Sequence, residues 1–244
     1  MIWASDYSRA YTLAAAVERR GVGLHSGKDC LVRLEPGSKP GFWVGFLDQP
    51  DQEPVLLAPD QVRDTRLCTA LEIGGRPLAT VEHLLAALAG VGLTQAEIWI
   101  EGHEIPLLDG SALPWVEAIV EAGLEDLGPR GPLPALAAPI SCQRGNSFVQ
   151  ALPSEQLLLS AAIEFPQPAI GRQLFSLVLS PESFVREIAP ARTFGFKDQV
   201  EQLREAGLIQ GGALDNALVC DGDQWVNPPL RFADEPVRNT LPAL

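Results

Sequence analysis

The sequence predicts an α+β fold in two domains, and three features of its pattern support this. Short alternating segments typical of strands occur in both halves of the 244-residue chain,. Segments with apolar residues at helical spacing stand between them,. A stretch rich in Pro and Gly, LGPRGPLPALAAPI (127–140), cannot continue a helix and suits a linker,. We therefore expect a first domain over residues 1–128, a linker over 129–139 and a second domain over 140–244.

The first half begins with strands that enclose a short helix. CLVRLE (30–35) and AEIWIEG (96–102) alternate between apolar and polar residues, as half-buried strands do,. Between them, TVEHLLAALAG (80–90) has an apolar stripe at helical spacing,. Thr80 is the expected N-cap and Gly90 the expected end of this helix, because hydroxyl side chains and glycine favour these positions,.

A second helix and the elements of the second half follow the same rules. Pro114 suits a first helical turn, and Gly123 is expected to end that helix,. SFVQALP (147–153) and QLLLSAAIEF (156–165) have the composition of strands,. FKDQVEQLREAG (196–207) places apolar residues at helical spacing and predicts a third helix,.

Composition excludes some classes of function. The chain has 18 Lys and Arg against 31 Asp and Glu, a formal charge of −13, which disfavours binding to the phosphates of nucleic acids,. Hydrophobic residues make up 46% of the chain, enough for a sizeable core,. No stretch of about 20 apolar residues predicts a transmembrane helix, and the N-terminal residues do not resemble a secretory signal,. We expect a cytoplasmic protein.

The four cysteines argue against a disulfide framework and a thiolate zinc site. Cys30, Cys68, Cys142 and Cys220 are widely spaced and form no CxxC pair,. They are expected to be reduced thiols.

Adjacent acidic and imidazole side chains at the start of the predicted helix form a candidate site. A metal held by His83 would bring its bound water close to Glu82, and a carboxylate can take a proton from such a water,. A surface Glu beside a capping or core His is the other interpretation of the same dipeptide.

The chain resembles the UDP-3-O-acyl-N-acetylglucosamine deacetylases over nearly its whole length. Seven segments carry the resemblance, in this order: GVGLHSG (21–27), VRDTRLCTAL (62–71), TVEHLLAALAGVG (80–92), EIPLLDGSALPWV (104–116), PAIGRQ (168–173), ARTFGF (191–196) and GGALDNALV (211–219). The resemblance implies a zinc hydrolase of lipid A biosynthesis that deacetylates a UDP-linked, acylated glucosamine. It also implies two similar domains, each a sheet layered on a pair of helices, with the active site at their interface.

The resemblance assigns roles to five residues. Glu82 matches the general base and His83 a zinc ligand. His25 matches a residue near the site, although a structural role in its Gly-rich turn is equally consistent with the sequence. Phe165 and Ile170 would lie beside the passage for the acyl chain, with a core position as the alternative.

The sequence departs from the family pattern after LRFADEPVR (230–238). The resemblance implies a His and an Asp at the next two zinc-ligand positions, which here hold Asn239 and Ala243, and Ala162 replaces a Thr that would stabilise the oxyanion,. Pro242 is expected to prevent the helix that would carry these ligands,. These departures lead to the expectation of an incomplete second domain that could self-associate. They also support a second hypothesis, a catalytically inactive or truncated relative that binds the nucleotide sugar or acyl chain.

Overall fold

The computed structural model describes residues 3–131 and 135–243. Residues 132–134 of the predicted linker lie outside the described residues, as do residues 1–2 and Leu244 at the ends of the two predicted domains. The strands are β1 (Arg9–Leu13), β2 (Val17–Val22), β3 (Asp29–Pro36), β4 (Gly41–Phe46), β5 (Val55–Leu56), β6 (Val62–Asp64), β7 (Ala70–Ile73), β8 (Arg76–Leu78), β9 (Gln95–Glu101), β10 (Leu124–Pro129), β11 (Ile140–Arg144), β12 (Ser147–Ala151), β13 (Leu158–Glu164), β14 (Arg172–Val178), β15 (Phe194–Phe196), β16 (Leu218–Asp221) and β17 (Gln224–Trp225). The helices are α1 (Glu82–Gly90), α2 (Leu113–Ala122), α3 (Pro181–Ser183), α4 (Lys197–Glu205) and α5 (Glu235–Thr240). The α+β prediction is confirmed.

A five-stranded sheet organises the first half, in the order β2-β3-β9-β4-β5. Its β4 and β9 are parallel, and the other neighbours are antiparallel. Both strands predicted for this half are confirmed, and their buried residues alternate with more accessible ones. One face of the sheet, with Val32, Ile98 and Ile100, therefore contributes to the core,.

Two helices complete the core of the first half. Helix α1 buries Leu84, Ala87 and Leu88, and α2 buries Trp115 and Ile119. These positions are separated by three or four residues, or are adjacent, so they form one apolar face on each helix.

The predicted ends of these helices are right at α2 and wrong at the start of α1. Gly123 follows α2 with a φ of 72°, which glycine adopts without steric cost,. The N-cap of α1 is Val81 rather than Thr80. The Thr80 hydroxyl instead donates a hydrogen bond to Glu104, and its backbone φ is 59°. A long-range partner has thus replaced the local capping interaction.

The second half is built from hairpins, one small sheet and short helices. Strand β11 pairs with β12, and β13 with β14. Strand β16 lies between β15 and β17. The predicted strands and α4 are confirmed, and Gly207 lies just beyond the end of α4 with a φ of 78°.

The core continues from the first half into the second. Phe184 and Ile188, in a π-helical turn that follows α3, belong to the same hydrophobic cluster as α1. Val237 of α5 and the following Leu241 also belong to it. A Cβ atom on Gly90 would lie 2.5 Å from the ring of Phe184, so glycine permits this close contact,.

Helix α5 forms and carries Asn239 in spite of Pro236 and Pro242, which corrects the expectation that Pro242 prevents this helix, although α5 ends before Ala243. Pro236 lies in the first turn, where no intrahelical N–H bond is required of it,. Pro242 follows the end of α5 and lies in a 3₁₀ turn. Among the described residues, no helix is long and apolar enough to cross a membrane.

Candidate functional site

The start of α1 is fixed by a short backbone pairing. Ala79 donates its N–H to the carbonyl of His103 at 3.0 Å, and Ile105 donates to the carbonyl of Ala79 at 3.0 Å. These bonds bring the segment after β9 against the residues before α1. Glu82 and His83 are the first two residues of α1, so this pairing fixes their position beside the loop that follows β9.

Glu82 is a partly buried carboxylate with one hydrogen-bond donor from a loop. Its Oε2 accepts the backbone N–H of Thr69 at 3.1 Å. Burial raises the pKa of Glu82, and the negative charge of Glu104 acts in the same direction, while the backbone donors oppose them,. A carboxylate with a raised pKa is suited to accept and hold a proton.

His83 is a buried imidazole that stays neutral. Burial lowers its pKa to about 4, with the charge of Asp109 opposing the shift,. Its Nδ1 is buried and has no hydrogen-bond partner among the described residues. A neutral imidazole with an unused nitrogen can donate a lone pair to a metal ion.

A buried carboxylate from the 104–116 motif connects two other motifs. Glu104 is 3% exposed. Its Oε1 accepts the N–H of His25 at 2.8 Å and the hydroxyl of Thr80 at 3.0 Å, and its Oε2 accepts the N–H of Ser26 at 2.9 Å. The Gly-rich turn and the start of α1 thus share one acceptor.

Backbone hydrogen bonds join the second half to loops of the first half. Gly211 donates its N–H to the carbonyl of Leu24 at 2.9 Å, and Thr193 donates to the carbonyl of Gly110 at 2.7 Å. Gly110 has a φ of 83°, and a Cβ atom on it would overlap the carbonyl of Asn216. Four of the motifs that sequence analysis singled out therefore meet at the contact between the halves.

An ion pair joins the loop after β9 to the segment before α5. Arg231 donates to Asp109 Oδ2 at 2.7 Å, and Asp109 Oδ1 accepts the N–H of Ser111 at 2.9 Å. Behind it, the buried Glu235 accepts Arg192 Nε at 2.9 Å and the N–H of Arg231 at 2.7 Å. The Arg231–Asp109 pair thus ties the second half to Asp109, the carboxylate whose negative charge acts on His83.

His25 lies near this region through its backbone. Besides the bond to Glu104, its carbonyl accepts the N–H of Gln210 at 3.3 Å. Both ring nitrogens of His25 are buried without a hydrogen-bond partner among the described residues. The structure thus places His25 where the two halves meet.

Phe165 lies in an aromatic cluster, and Ile170 is a buried residue of the turn that follows β13. The ring of Phe165 is 5.6 Å from that of Phe194 and 5.4 Å from that of Phe196. Ile170 is 5% exposed in the same turn between β13 and β14. Among the described residues, no hydrogen bond joins Phe165 or Ile170 directly to Glu82 or His83.

Unusual backbone conformations concentrate in the motifs. Four described non-glycine residues have a positive φ, and Leu67, Thr80 and Leu108 are three of them. Each lies in a motif that meets at this site, and such strain persists only where surrounding contacts impose it.

Comparison with known proteins gives the family. The family model described as UDP-3-O-acyl N-acetylglycosamine deacetylase (LpxC) matches residues 10–241. The chain belongs to this family.

Three relatives named UDP-3-O-acyl-N-acetylglucosamine deacetylase have similar sequences. The protein of Thermosynechococcus vestitus is 47% identical over 231 residues, which cover 94% of this chain and 80% of that protein. The protein of a Nostoc species is 47% identical over 239 residues, covering 96% of this chain and 85% of that protein. The protein of a Synechocystis species is 43% identical over 236 residues, covering 95% and 85%.

The donor set of this LpxC-family chain does not fit a three-ligand zinc site. His83, with its unpartnered Nδ1, suits one ligand position. Asn239 donates its side-chain amide to the carbonyl of Ala191 at 3.2 Å. Residues 3–131 and 135–243 contain no group of three or more His, Cys, Asp or Glu side chains placed to hold a metal ion. A catalytic zinc site usually has three protein ligands, so the described residues supply too few.

Several residues of the site were missed by the sequence analysis. Glu104 and Glu235 lie in the segments 104–116 and 230–238, but their hydrogen-bond partners are distant in sequence. The partners of Glu104 are 24 to 79 residues away, and those of Glu235 are 4 to 43 residues away. Gly23 offered a local signal for Glu104, because a Cβ atom there would overlap the Glu104 carboxylate. The ion pair of Arg231 with Asp109 had no comparable signal.

Proposed function

We propose that this chain is a hydrolase that removes the acetyl group from UDP-3-O-acyl-N-acetylglucosamine in lipid A biosynthesis. The observation that carries the proposal is the meeting of motifs from both halves around the start of α1, in a chain that matches the LpxC family over residues 10–241. The relatives with 43 to 47% identity carry this enzyme's name.

In this proposal Glu82 accepts the proton of the attacking water. Its raised pKa and the single N–H donor from Thr69 leave it able to take a proton and later release it,. Glu82 begins α1, and the rigid helix keeps the carboxylate in place. The buried surroundings of His83 keep its imidazole neutral next to it.

Zinc is the metal that the resemblance implies, and His83 is the ligand that this chain would contribute. When bound, zinc would polarise the acetamide carbonyl and a water molecule. Because the described residues supply too few further donors, we assign no step of the reaction to the ion.

The substrate would lie between two domains, over residues 1–128 and 140–244, connected by the linker 129–139. We propose that His25 lines the site where the halves meet, and that Phe165 and Ile170 lie beside the acyl chain. The apolar cluster formed by Phe165, Phe194 and Phe196 supports this assignment, because a hydrocarbon chain requires an apolar surface,. The free cysteines agree with a cytoplasmic location,.

The alternative of an inactive relative receives no support from the comparisons, since the relatives described above all carry the enzyme's name. An assay of the full chain tests the proposed activity. The chain is incubated with UDP-3-O-acyl-N-acetylglucosamine and added zinc, and release of acetate is measured.

The decisive comparison is between Glu82→Gln and a matched control. Glu117→Gln makes the same change at an exposed position of α2. We expect acetate release in the wild type and in Glu117→Gln, and a loss of at least about 100-fold in Glu82→Gln, the lower part of the range for a general base. Equal rates in both variants would exclude Glu82 as the base, and absence of product in all three would refute the proposed function.

A further inference from the structure

Glu104 is the buried charge on which several parts of the site depend. It lies outside the set of residues assigned to the reaction, yet it is 3% exposed and accepts three hydrogen bonds. A buried carboxylate is retained at low cost only when its oxygens are fully satisfied by donors. The three donors come from two segments that are separate in sequence.

One of these donors is a strained residue. Thr80 has a φ of 59°, a conformation that is unfavourable for a β-branched side chain, and it is 3% exposed,. Its hydroxyl bonds to Glu104 rather than to the start of the helix. Thr80 stands two residues before Glu82, so its conformation sets the direction in which α1 begins.

We propose that Glu104 is a positioning residue, which holds Thr80 in its left-handed conformation and thereby fixes the place of the Glu82 carboxylate. The inference rests on the proposed function only for its catalytic consequence. The contact that reports the position of Glu82 is the bond from the N–H of Thr69 to Glu82 Oε2. Thr69 has no described hydrogen bond with Glu104, and its carbonyl accepts the N–H of Val81 at 3.4 Å, so a change at Thr69 reports on residues 80–82 where α1 begins.

Amide hydrogen exchange of the full chain, resolved by residue, tests the proposal. In Glu104→Gln, exchange at His25, Ser26 and Thr69 is expected to rise by about tenfold or more, the effect of losing charge-assisted hydrogen bonds. In Thr80→Val, which replaces the hydroxyl with a methyl group of similar size, exchange at Thr69 rises in the same way. Thr80→Ser, which keeps the hydroxyl, remains close to the wild type.

The matched control is Glu101→Gln, the same change at an exposed residue that pairs with Arg20. It should leave exchange at Thr69 unchanged. Amides in the pairing of β3 with β9 serve as the reference for global stability, and they should change less than about twofold in every variant. If Glu104→Gln does not fold, the comparison of Thr80→Val with Thr80→Ser decides the question.

Kinetics give the second readout. For Glu104→Gln and Thr80→Val, kcat should fall about tenfold or more while KM changes less than about twofold, and the double variant should be no slower than the slower single variant. Faster exchange at His25 and Ser26 with Thr69 unchanged would overturn the proposal. An equal rise at all amides, including the reference amides, would do the same. If the wild type releases no acetate, the proposed function fails, and exchange at Thr69 still decides the role of Glu104.

Discussion

Replacing Glu235 by Ala should destabilise the chain more than any change at an exposed ion pair. Glu235 is fully buried, and its partner Arg192 has a side chain that is 15% exposed. The substitution leaves the Arg192 guanidinium without its counter-charge and removes the acceptor for the N–H of Arg231. Breaking one member of a buried pair costs about 3–5 kcal/mol. For a chain of this size each kcal/mol lowers the melting temperature by about 2–4 °C, so we expect a decrease of about 6–20 °C.

Thermal unfolding followed by circular dichroism measures this effect. Glu164→Ala is the matched control, because Glu164 pairs with Arg172 through side chains that are 66% and 83% exposed. An exposed pair contributes at most about 1 kcal/mol, so the control should melt within about 4 °C of the wild type. Equal decreases in Glu235→Ala and Glu164→Ala would refute the idea that the buried pair stabilises the second half.

Three further predictions concern pH, packing and association. Stability should fall as the pH drops from 6.5 towards 4,. The unfolded chain protonates His83 at its usual pKa, whereas burial lowers the pKa of His83 in the folded chain to about 4. In urea titrations, the free energy of unfolding of His83→Gln should therefore decrease less steeply with pH,. Gly110→Ala should lower the free energy of unfolding by more than about 1 kcal/mol in the same titrations, because its methyl group would overlap the carbonyl of Asn216 and its φ is positive,. A stability equal to that of the wild type would contradict the described contact. Phe148 is 71% exposed and Leu174 is 73% exposed. The chain should therefore self-associate as its concentration rises in sedimentation experiments, and a protease should cut it first between residues 140 and 151. A monomer that resists protease there would contradict this.

The parts of the fold that the sequence predicts are those that depend on local periodicity. Strand β3 and helix α2 carry their apolar pattern and their end signals within about ten residues, and both are found where expected,. The start of α1 was misplaced because the hydroxyl of Thr80 bonds to Glu104, 24 residues away. A local rule for capping cannot anticipate such a partner.

The candidate site divides in the same way. Glu82 and His83 are adjacent in sequence, so their proximity was predictable, and the quoted motifs marked the loops that surround them. The pairing of Arg231 with Asp109 joins residues 122 positions apart. This pairing depends on how the second half packs on α1, and the spacing of apolar residues along the chain does not predict that packing. Helix α5 shows the limit of single-residue rules, because its prolines lie in its first turn and after its end,.

The central claim is that Glu82 and His83 form the reactive part of an LpxC-family deacetylase site, and restoring metal donors tests it most directly. Asn239→His combined with Ala243→Asp would supply the ligand types that the resemblance implies at these positions. Acetate release is measured against zinc concentration in this double variant, in the wild type and in the double variant carrying Glu82→Gln. We predict turnover at least about tenfold above the wild type at limiting zinc, lost with Glu82→Gln. A double variant that binds zinc through His83 and still shows no gain in turnover would contradict the claim.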